Sequence, residues 1–110
     1  METTNRQLKG ARNQALFREI NERIADVSNT VPDEELCDFV CECARTDCVE
    51  FVSLTRTEYG AIRRVATWFP IKPGHDDPAL ERVVETNERY AVVEKFGEAG
   101  MVAVELDPRA

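Results

Sequence analysis

The sequence lacks long hydrophobic runs. Its uninterrupted apolar stretches are only a few residues long, as at Tyr90–Val93, whereas a membrane-spanning helix needs about 20 apolar residues. The polar segment Met1–Arg12 has no apolar core of the kind found in secretory signal peptides. We therefore expect a protein that does not associate with membranes and that has a cytoplasmic location.

Recognisable catalytic machinery is also missing from the residue pattern. The chain has one histidine, His75. No serine–histidine–acid arrangement, phosphate-binding glycine loop or paired general acid and base stands out. These absences favour a protein that is not an enzyme.

Positive charge is scarce. The 110 residues include 14 lysines and arginines against 21 aspartates and glutamates, which gives a net charge of −7. Such a chain repels the phosphate backbone of nucleic acids, and the basic side chains near the amino terminus are too few to reverse that repulsion. We therefore expect a protein partner rather than a nucleic acid.

The composition is otherwise that of a globular protein, with 43% hydrophobic and 32% charged residues. A chain of 110 residues forms one domain. We predict a flexible amino-terminal arm at residues 1–12, followed by a single α+β domain at residues 13–110. The hydrophobic core of such a domain is thin, so a bound metal would add to its stability.

Three segments have the features of helices. Apolar residues recur at three- and four-residue spacing within residues 4–28, which predicts a long helix with one apolar stripe packed inward. This stripe consists of Leu16, Phe17, Ile20, Ile24 and Val27. Thr55 and Glu58 have the spacing of a capping box ahead of a central helix. The alanine and glutamate content of residues 98–106 favours a terminal helix, although alternating valines also fit an edge strand.

Short β-branched runs predict a small antiparallel sheet. Residues 82–86 and 90–95 are two such runs separated by three residues, which is the pattern of a hairpin. Residues 49–54 alternate as a strand does, and Pro70 suits an edge position within an extended segment at 68–71. The predicted fold class is α+β, with a long amino-terminal helix, a central helix and a small antiparallel sheet containing a hairpin near residues 82–95.

All four cysteines fall within twelve residues of one another, at Cys37, Cys41, Cys43 and Cys48. Cys41 and Cys43 share one face of an extended segment, and a turn then brings Cys48 back to that face. Three thiolates can thus converge on one tetrahedral ion, for which zinc is the preferred candidate. The C-x-C-x4-C spacing is looser than the paired C-x-x-C of common zinc ribbons. Buried cysteines that bind nothing are the alternative interpretation.

Acidic residues flank the cysteines in the sequence. They are Asp38, Glu42, Asp47 and Glu50. Their negative charge should raise the pKa of the thiols and disfavour reactive thiolates, whereas a bound divalent cation reverses that effect. The charge pattern therefore favours metal ligation over nucleophilic cysteine chemistry.

The fourth ligand is a choice between His75 and Cys37. His75 follows Gly74, which lets the backbone approach closely, and a neighbouring carboxylate can orient the imidazole. Cys37 shares the face of Cys41 if residues 37–41 form a strand, but it then lies well away along that strand. We prefer His75 and retain Cys37 as an alternative ligand or a redox thiol.

Several strings in this chain resemble a family of small uncharacterised bacterial proteins that have a CEC-x4-C segment followed by a PGH loop. The matching strings are Asn13–Ile24, Phe39–Cys43 with Cys48, Leu54–Tyr59, Pro73–His75 and Val92–Ala99. The resemblance implies that Cys41, Cys43, Cys48 and His75 form the recurring motif and that Cys37 lies outside it. It implies no particular activity.

Three functions fit these observations. The first is a module with a structural zinc site that acts by binding a protein or by regulating one. The second is a cysteine-based redox or metal-sensing switch, in which Cys37 and a neighbouring cysteine form a disulfide and release the ion. The third, which we favour least, is a small metalloenzyme with an open coordination position, because no general base is singled out.

Overall fold

The computed structural model describes residues 5–45 and 47–109. Within these ranges the chain forms three helices and five strands. Their order is α1 (Asn5–Val27), β1 (Leu36–Val40), β2 (Phe51–Thr55), α2 (Arg56–Arg63), β3 (Trp68–Ile71), β4 (Glu81–Thr86), β5 (Ala91–Lys95) and α3 (Gly97–Glu105). The predicted α+β class is confirmed, and so is the helical reading of the last segment. A strand at residues 37–41 was considered only as one possibility, and the structure has a strand, β1, at Leu36–Val40.

The strands form two antiparallel sheets rather than the single sheet expected. β1 pairs with β2, and β3, β5 and β4 form a second sheet in that order. The hairpin of β4 and β5 is confirmed, with an irregularity in register between Val83 and Glu85. β3 is an edge strand, as Pro70 predicted, because proline cannot donate a hydrogen bond to a second neighbouring strand.

The capping box at the start of α2 is present. The Glu58 amide donates a hydrogen bond to the Thr55 hydroxyl over 3.0 Å, and the Thr55 amide donates to the Glu58 carboxylate over 2.8 Å. Two amides that the helix itself leaves unpaired are therefore satisfied. The box lets α2 begin directly where β2 ends.

The hydrophobic core lies between the two sheets and α2. The rings of Phe39 and Tyr59 stack with their centroids 4.6 Å apart, and Leu54 and Val93 are fully buried beside them. Cys41 belongs to the same buried cluster, as does Cys43. The cysteine segment is therefore anchored in the core.

The packing of α1 differs from the prediction. The helix buries Gln14, Arg18 and Asn21, while Ile20 and Val27 of the apolar stripe remain 39% and 78% exposed. The expectation that the whole apolar stripe packs inward is therefore wrong, although Ile24 of that stripe does pack against the core. The stripe pattern identified the helix but not the face that meets the rest of the protein.

The polar face of α1 is buried because it pairs with groups that would otherwise be unsatisfied. Asn21 accepts from the Val40 amide over 2.7 Å and donates to the Val40 carbonyl over 2.8 Å, so it covers the free edge of β1. Arg18 donates to the Glu42 carboxylate over 3.1 Å and to the Ala66 carbonyl over 2.8 Å. Buried polar groups require such partners, and these bonds therefore determine how α1 is oriented.

The proposed arm at residues 1–12 stays a prediction, because residues 1–4 lie outside the described part of the chain. The backbone from residue 5 onward is helical. In the described ranges, each helix is too short or too polar to cross a bilayer.

Candidate metal centre

The segment Cys41–Cys43 continues the direction of β1 and connects the two sheets. The Cys41 amide donates to the Glu50 carbonyl over 3.0 Å, and the Glu42 amide donates to the Pro70 carbonyl over 3.0 Å. Side chains alternate along an extended segment, so the two cysteines point to one side and Glu42 to the other. Both thiols and the Glu42 carboxylate are buried.

His75 is positioned by a tight turn. The His75 amide donates to the Lys72 carbonyl over 3.0 Å. Pro73 and Gly74 are the central residues, and Gly74 has a φ of 89°. This combination is that of a type II turn, which needs a residue able to adopt positive φ at the position before His75. The turn formed by Pro73 and Gly74 therefore sets the position of the His75 backbone, and with it the position of the imidazole.

The structure brings Cys41, Cys43, Cys48 and His75 together. Their ligand atoms all lie within 4.8 Å of one another. The Nδ1 atom of His75 lies 3.7 Å from the Sγ of Cys41 and 3.7 Å from the Sγ of Cys48. In a tetrahedral zinc site, sulfur and nitrogen ligands are about 3.6 Å apart and two sulfurs about 3.8 Å apart. The group is thus close enough to hold a metal ion after small side-chain adjustments.

Each cysteine sulfur of the group also accepts a hydrogen bond from the main chain. The Lys72 amide donates to the Sγ of Cys41 over 3.2 Å. The amide of Arg45 donates to Cys43, and the amide of Glu50 donates to Cys48. Hydrogen bonds to a charged acceptor favour the charged form, so these three amides stabilise thiolates. They also orient the sulfurs around a common centre.

The thiols influence one another more than their acidic neighbours do. A hydrogen bond from Cys41 lowers the pKa of Cys43 to about 5, and the same bond, with burial, raises the pKa of Cys41. Burial raises the pKa of Cys48. The expectation that flanking carboxylates raise every thiol pKa is therefore wrong. Glu42 in particular faces away from the sulfurs, towards Arg18.

Cys37 lies outside the convergent group. It belongs to β1, where it is paired opposite Leu54 in β2, and its Sγ lies 3.7 Å from the Glu35 carbonyl. Four residues of extended chain separate Cys37 from Cys41 by about 13 Å. Of the two candidates for the fourth position, the geometry therefore places His75, and not Cys37, beside the other three cysteines.

The sequence analysis did not identify the residues that hold Glu42, which lies between Cys41 and Cys43, in place. Gln14 donates to the Glu42 carbonyl over 2.8 Å, Asn21 donates to the Glu42 carboxylate over 2.6 Å, and the Tyr59 hydroxyl donates to the same carboxylate over 3.2 Å. The spacing of Gln14, Arg18 and Asn21 could have indicated them, because it places all three polar residues on one face of the helix. These contacts hold the residue between Cys41 and Cys43 in place.

A small cavity of about 260 Å³ adjoins the metal group. It is lined by Ala44, Arg45, His75, Asp76, Asp77 and Pro78. The Arg45 guanidinium donates to the Gly74 carbonyl over 3.5 Å. The two loops that supply Cys43, Cys48 and His75 therefore contact each other outside the group as well.

Comparisons with protein-family models, curated proteins and solved structures found no match to this chain. The resemblance to small bacterial proteins with a CEC-x4-C segment stays a prediction for that reason. Any functional conclusion must come from the geometry of the Cys41–Cys43–Cys48–His75 group.

Proposed function

We propose that the chain binds one zinc ion through Cys41, Cys43, Cys48 and His75, and that the ion is structural. The convergence of three sulfurs and one imidazole nitrogen within 4.8 Å carries the proposal. Four protein ligands complete a tetrahedral shell, which is typical of structural zinc, whereas catalytic zinc keeps one position for water. This ligand count is also why we rank a metalloenzyme last.

The choice of zinc follows from the ligand chemistry. Thiolate and imidazole ligands favour zinc over calcium, magnesium or manganese, which prefer oxygen. Iron–sulfur clusters are bound chiefly by thiolates alone, so a histidine in the set favours zinc over a cluster. The three main-chain amides directed at the sulfurs lower the energy of the thiolates that the ion requires.

The proposed role of the ion is to join distant segments of the chain. The cysteines follow β1, and His75 lies in the loop between β3 and β4. Both loops have little regular structure of their own, so a shared ion would hold them against the core. We further propose that the chain is a protein-binding or regulatory module, because its net charge of −7 disfavours nucleic acid as a partner and its residue pattern contains no recognisable catalytic machinery. A reducing compartment such as the cytoplasm would keep the thiols available for the metal.

Elemental analysis of the purified chain tests the metal. We expect one zinc per chain. His75→Ala and Cys43→Ser should each lower the zinc content and the melting temperature. Cys37→Ser is the matched control, since it removes a thiol from the same segment but not from the group, and it should retain full zinc. Chelation should destabilise the wild type strongly, because binding and folding are coupled.

Two results would contradict this proposal. One is a chain that is free of metal and melts at the same temperature with and without chelator. The other is a Cys37→Ser variant that loses as much zinc as Cys43→Ser does. The first result would leave the four side chains without an ion, and the second would show that Cys37 takes part in the ligand set.

A redox switch is the second candidate, and the proximity of three thiols favours it. Cys48 is only half-buried, so an oxidant can reach the group. The version that uses Cys37 is disfavoured, because a disulfide needs its two Cα atoms within about 7 Å and β1 separates Cys37 from Cys41 by about 13 Å. The disulfide would therefore form within the group. Two thiols would give up two protons and two electrons to hydrogen peroxide, so that one S–S bond forms, the O–O bond breaks and two water molecules are released.

Mass spectrometry of the zinc-loaded chain after mild peroxide treatment tests the switch. A mass decrease of two hydrogens that coincides with zinc release supports it, and the linked pair should come from Cys41, Cys43 and Cys48. If all four thiols remain titratable after treatment, the switch is excluded. The structural site would be unaffected by that outcome.

A further inference from the structure

The outward face of α1 carries an apolar stripe that the fold of the single chain does not use. Leu16, Ile20 and Val27 are 53%, 39% and 78% exposed. At 100° per residue they lie within about 40° of one another on the helix and roughly opposite the buried face. We call these three residues the outer stripe. Because polar side chains hold α1 to the rest of the protein, the outer stripe is free to contact something else.

Exposed charges run along one flank of the outer stripe. They are Arg12, Glu19, Arg23 and Asp26. Their signs alternate along the helix, beginning with a positive charge and ending with a negative one. From the amino to the carboxyl end the charges are therefore positive, negative, positive and negative, and in the opposite direction each sign is replaced by its opposite. A second copy of the same helix, laid antiparallel, presents the complementary order.

We infer that α1 is a homodimer interface, in which it packs against α1 of a second copy in an antiparallel arrangement centred on Ile20. In an antiparallel pair the twofold axis runs perpendicular to the two helices, so the same flank of both copies meets. Arg12 then faces Asp26 of the other copy, and Glu19 faces Arg23. Each pair is offset by two residues, or about 3 Å along the axis, which an arginine side chain spans. Four such pairs surround an apolar centre.

A parallel arrangement does not offer this match. In a parallel pair of helices, opposite flanks of the two copies meet. The charged flank would then face the side of α1 that carries Phe17 and Ile24, and no opposite charges would come together. The pattern of charge therefore favours an antiparallel over a parallel arrangement of the two α1 helices.

The inference goes beyond the proposed metal site, because no residue of the outer stripe or its charged flank belongs to the Cys41–Cys43–Cys48–His75 group. Loss of zinc and loss of self-association can therefore be measured separately. A chain without zinc that still dimerises would contradict the proposed function alone.

Sedimentation velocity of the intact chain over a concentration series tests the dimer. We expect a reversible equilibrium between monomer and dimer. Ile20→Lys should raise the dissociation constant at least about tenfold, because the dimer buries this side chain twice. Val84→Lys is the matched control: Val84 lies on β4 with the same 39% exposure as Ile20, and its substitution should leave the dimer intact.

Charge reversal tests the antiparallel alignment. Glu19→Arg and Arg23→Glu should each weaken the dimer about threefold, because each places like charges together. The double variant exchanges the two signs and should restore the wild-type dissociation constant. A chain that is monomeric at every concentration, or a dimer that Ile20→Lys leaves unchanged, overturns the inference. Failure of the double variant to recover overturns the alignment.

Discussion

Replacing Arg18 by methionine tests the structural account of α1. The Arg18 side chain is 1% exposed, and its guanidinium lies 3.1 Å from the fully buried Glu42 carboxylate. It also donates to the carbonyls of Ala66 and Trp68 and lies 3.6 Å above the Phe69 ring. Methionine retains much of the apolar volume but none of the five donors. The substitution therefore isolates the polar contribution.

The expected loss of stability for Arg18→Met is about 3–5 kcal/mol, because removing one partner of a buried ion pair leaves the other charge uncompensated. A loss of 3 kcal/mol lowers the melting temperature of a domain this size by more than about 10 °C. Burial already raises the pKa of Glu42, against the opposing effect of Arg18. Without Arg18 that pKa rises further, so the deficit should shrink as the pH falls and Glu42 takes up a proton.

Urea denaturation of the zinc-loaded chain measures this effect. Arg18→Met combined with Glu42→Leu is the informative control, since it removes both charges. The double variant should be less destabilised than the sum of the two single variants, because neither charge is then left alone in the core. A loss below about 1 kcal/mol for Arg18→Met, or strict additivity in the double variant, would refute the buried-pair account.

Two further predictions concern single contacts. The Arg89 side chain lowers the pKa of Glu58 to about 2 from 4.5, so the pair stabilises the fold above pH 4.5 and this stabilisation disappears as pH falls towards 2. Between pH 4.5 and pH 2, the Glu58→Gln variant should therefore lose less stability than the wild type. Acid titrations followed by circular dichroism measure this difference. Equal losses would argue against the Glu58–Arg89 ion pair. Gly74→Ala should cost about 1–2 kcal/mol, because Gly74 has a φ of 89°, and should weaken zinc binding by displacing His75. Gly60→Ala, in a helix with open space around its Cβ position, should not weaken zinc binding, and an equal effect of both substitutions would contradict the role of the turn.

The elements of secondary structure were largely predictable because local signals specify them. The capping box of Thr55 and Glu58 needs only residues three positions apart, and the hairpin of β4 and β5 needs only two β-branched runs with a short connection. The strand β1 was harder to predict. It contains Cys37 and Asp38 and has no strong alternation, so its pairing with β2 is what identifies it.

The metal group was predictable in part. The spacing of Cys41, Cys43 and Cys48 placed three thiols on one side of a short segment, and that inference depends on local geometry. The proximity of His75 does not follow from spacing, because 26 residues and three elements of secondary structure lie between it and Cys48. The structure places His75, and not Cys37, beside the other three cysteines, and its role as a ligand stays a prediction. The expected effect of the flanking acidic residues was wrong because side-chain direction decides which charges meet.

By itself, the sequence determined the α+β class, the positions of the helices and of the hairpin, and the three cysteines that can share an ion. These features depend on residues near one another along the chain. Only the tertiary structure decided which face of α1 is buried and whether His75 or Cys37 lies beside Cys41, Cys43 and Cys48. Both depend on long-range pairing: Arg18 and Asn21 are drawn inward by Glu42 and the edge of β1, and His75 reaches the cysteines because β3 lies beside the segment that carries them.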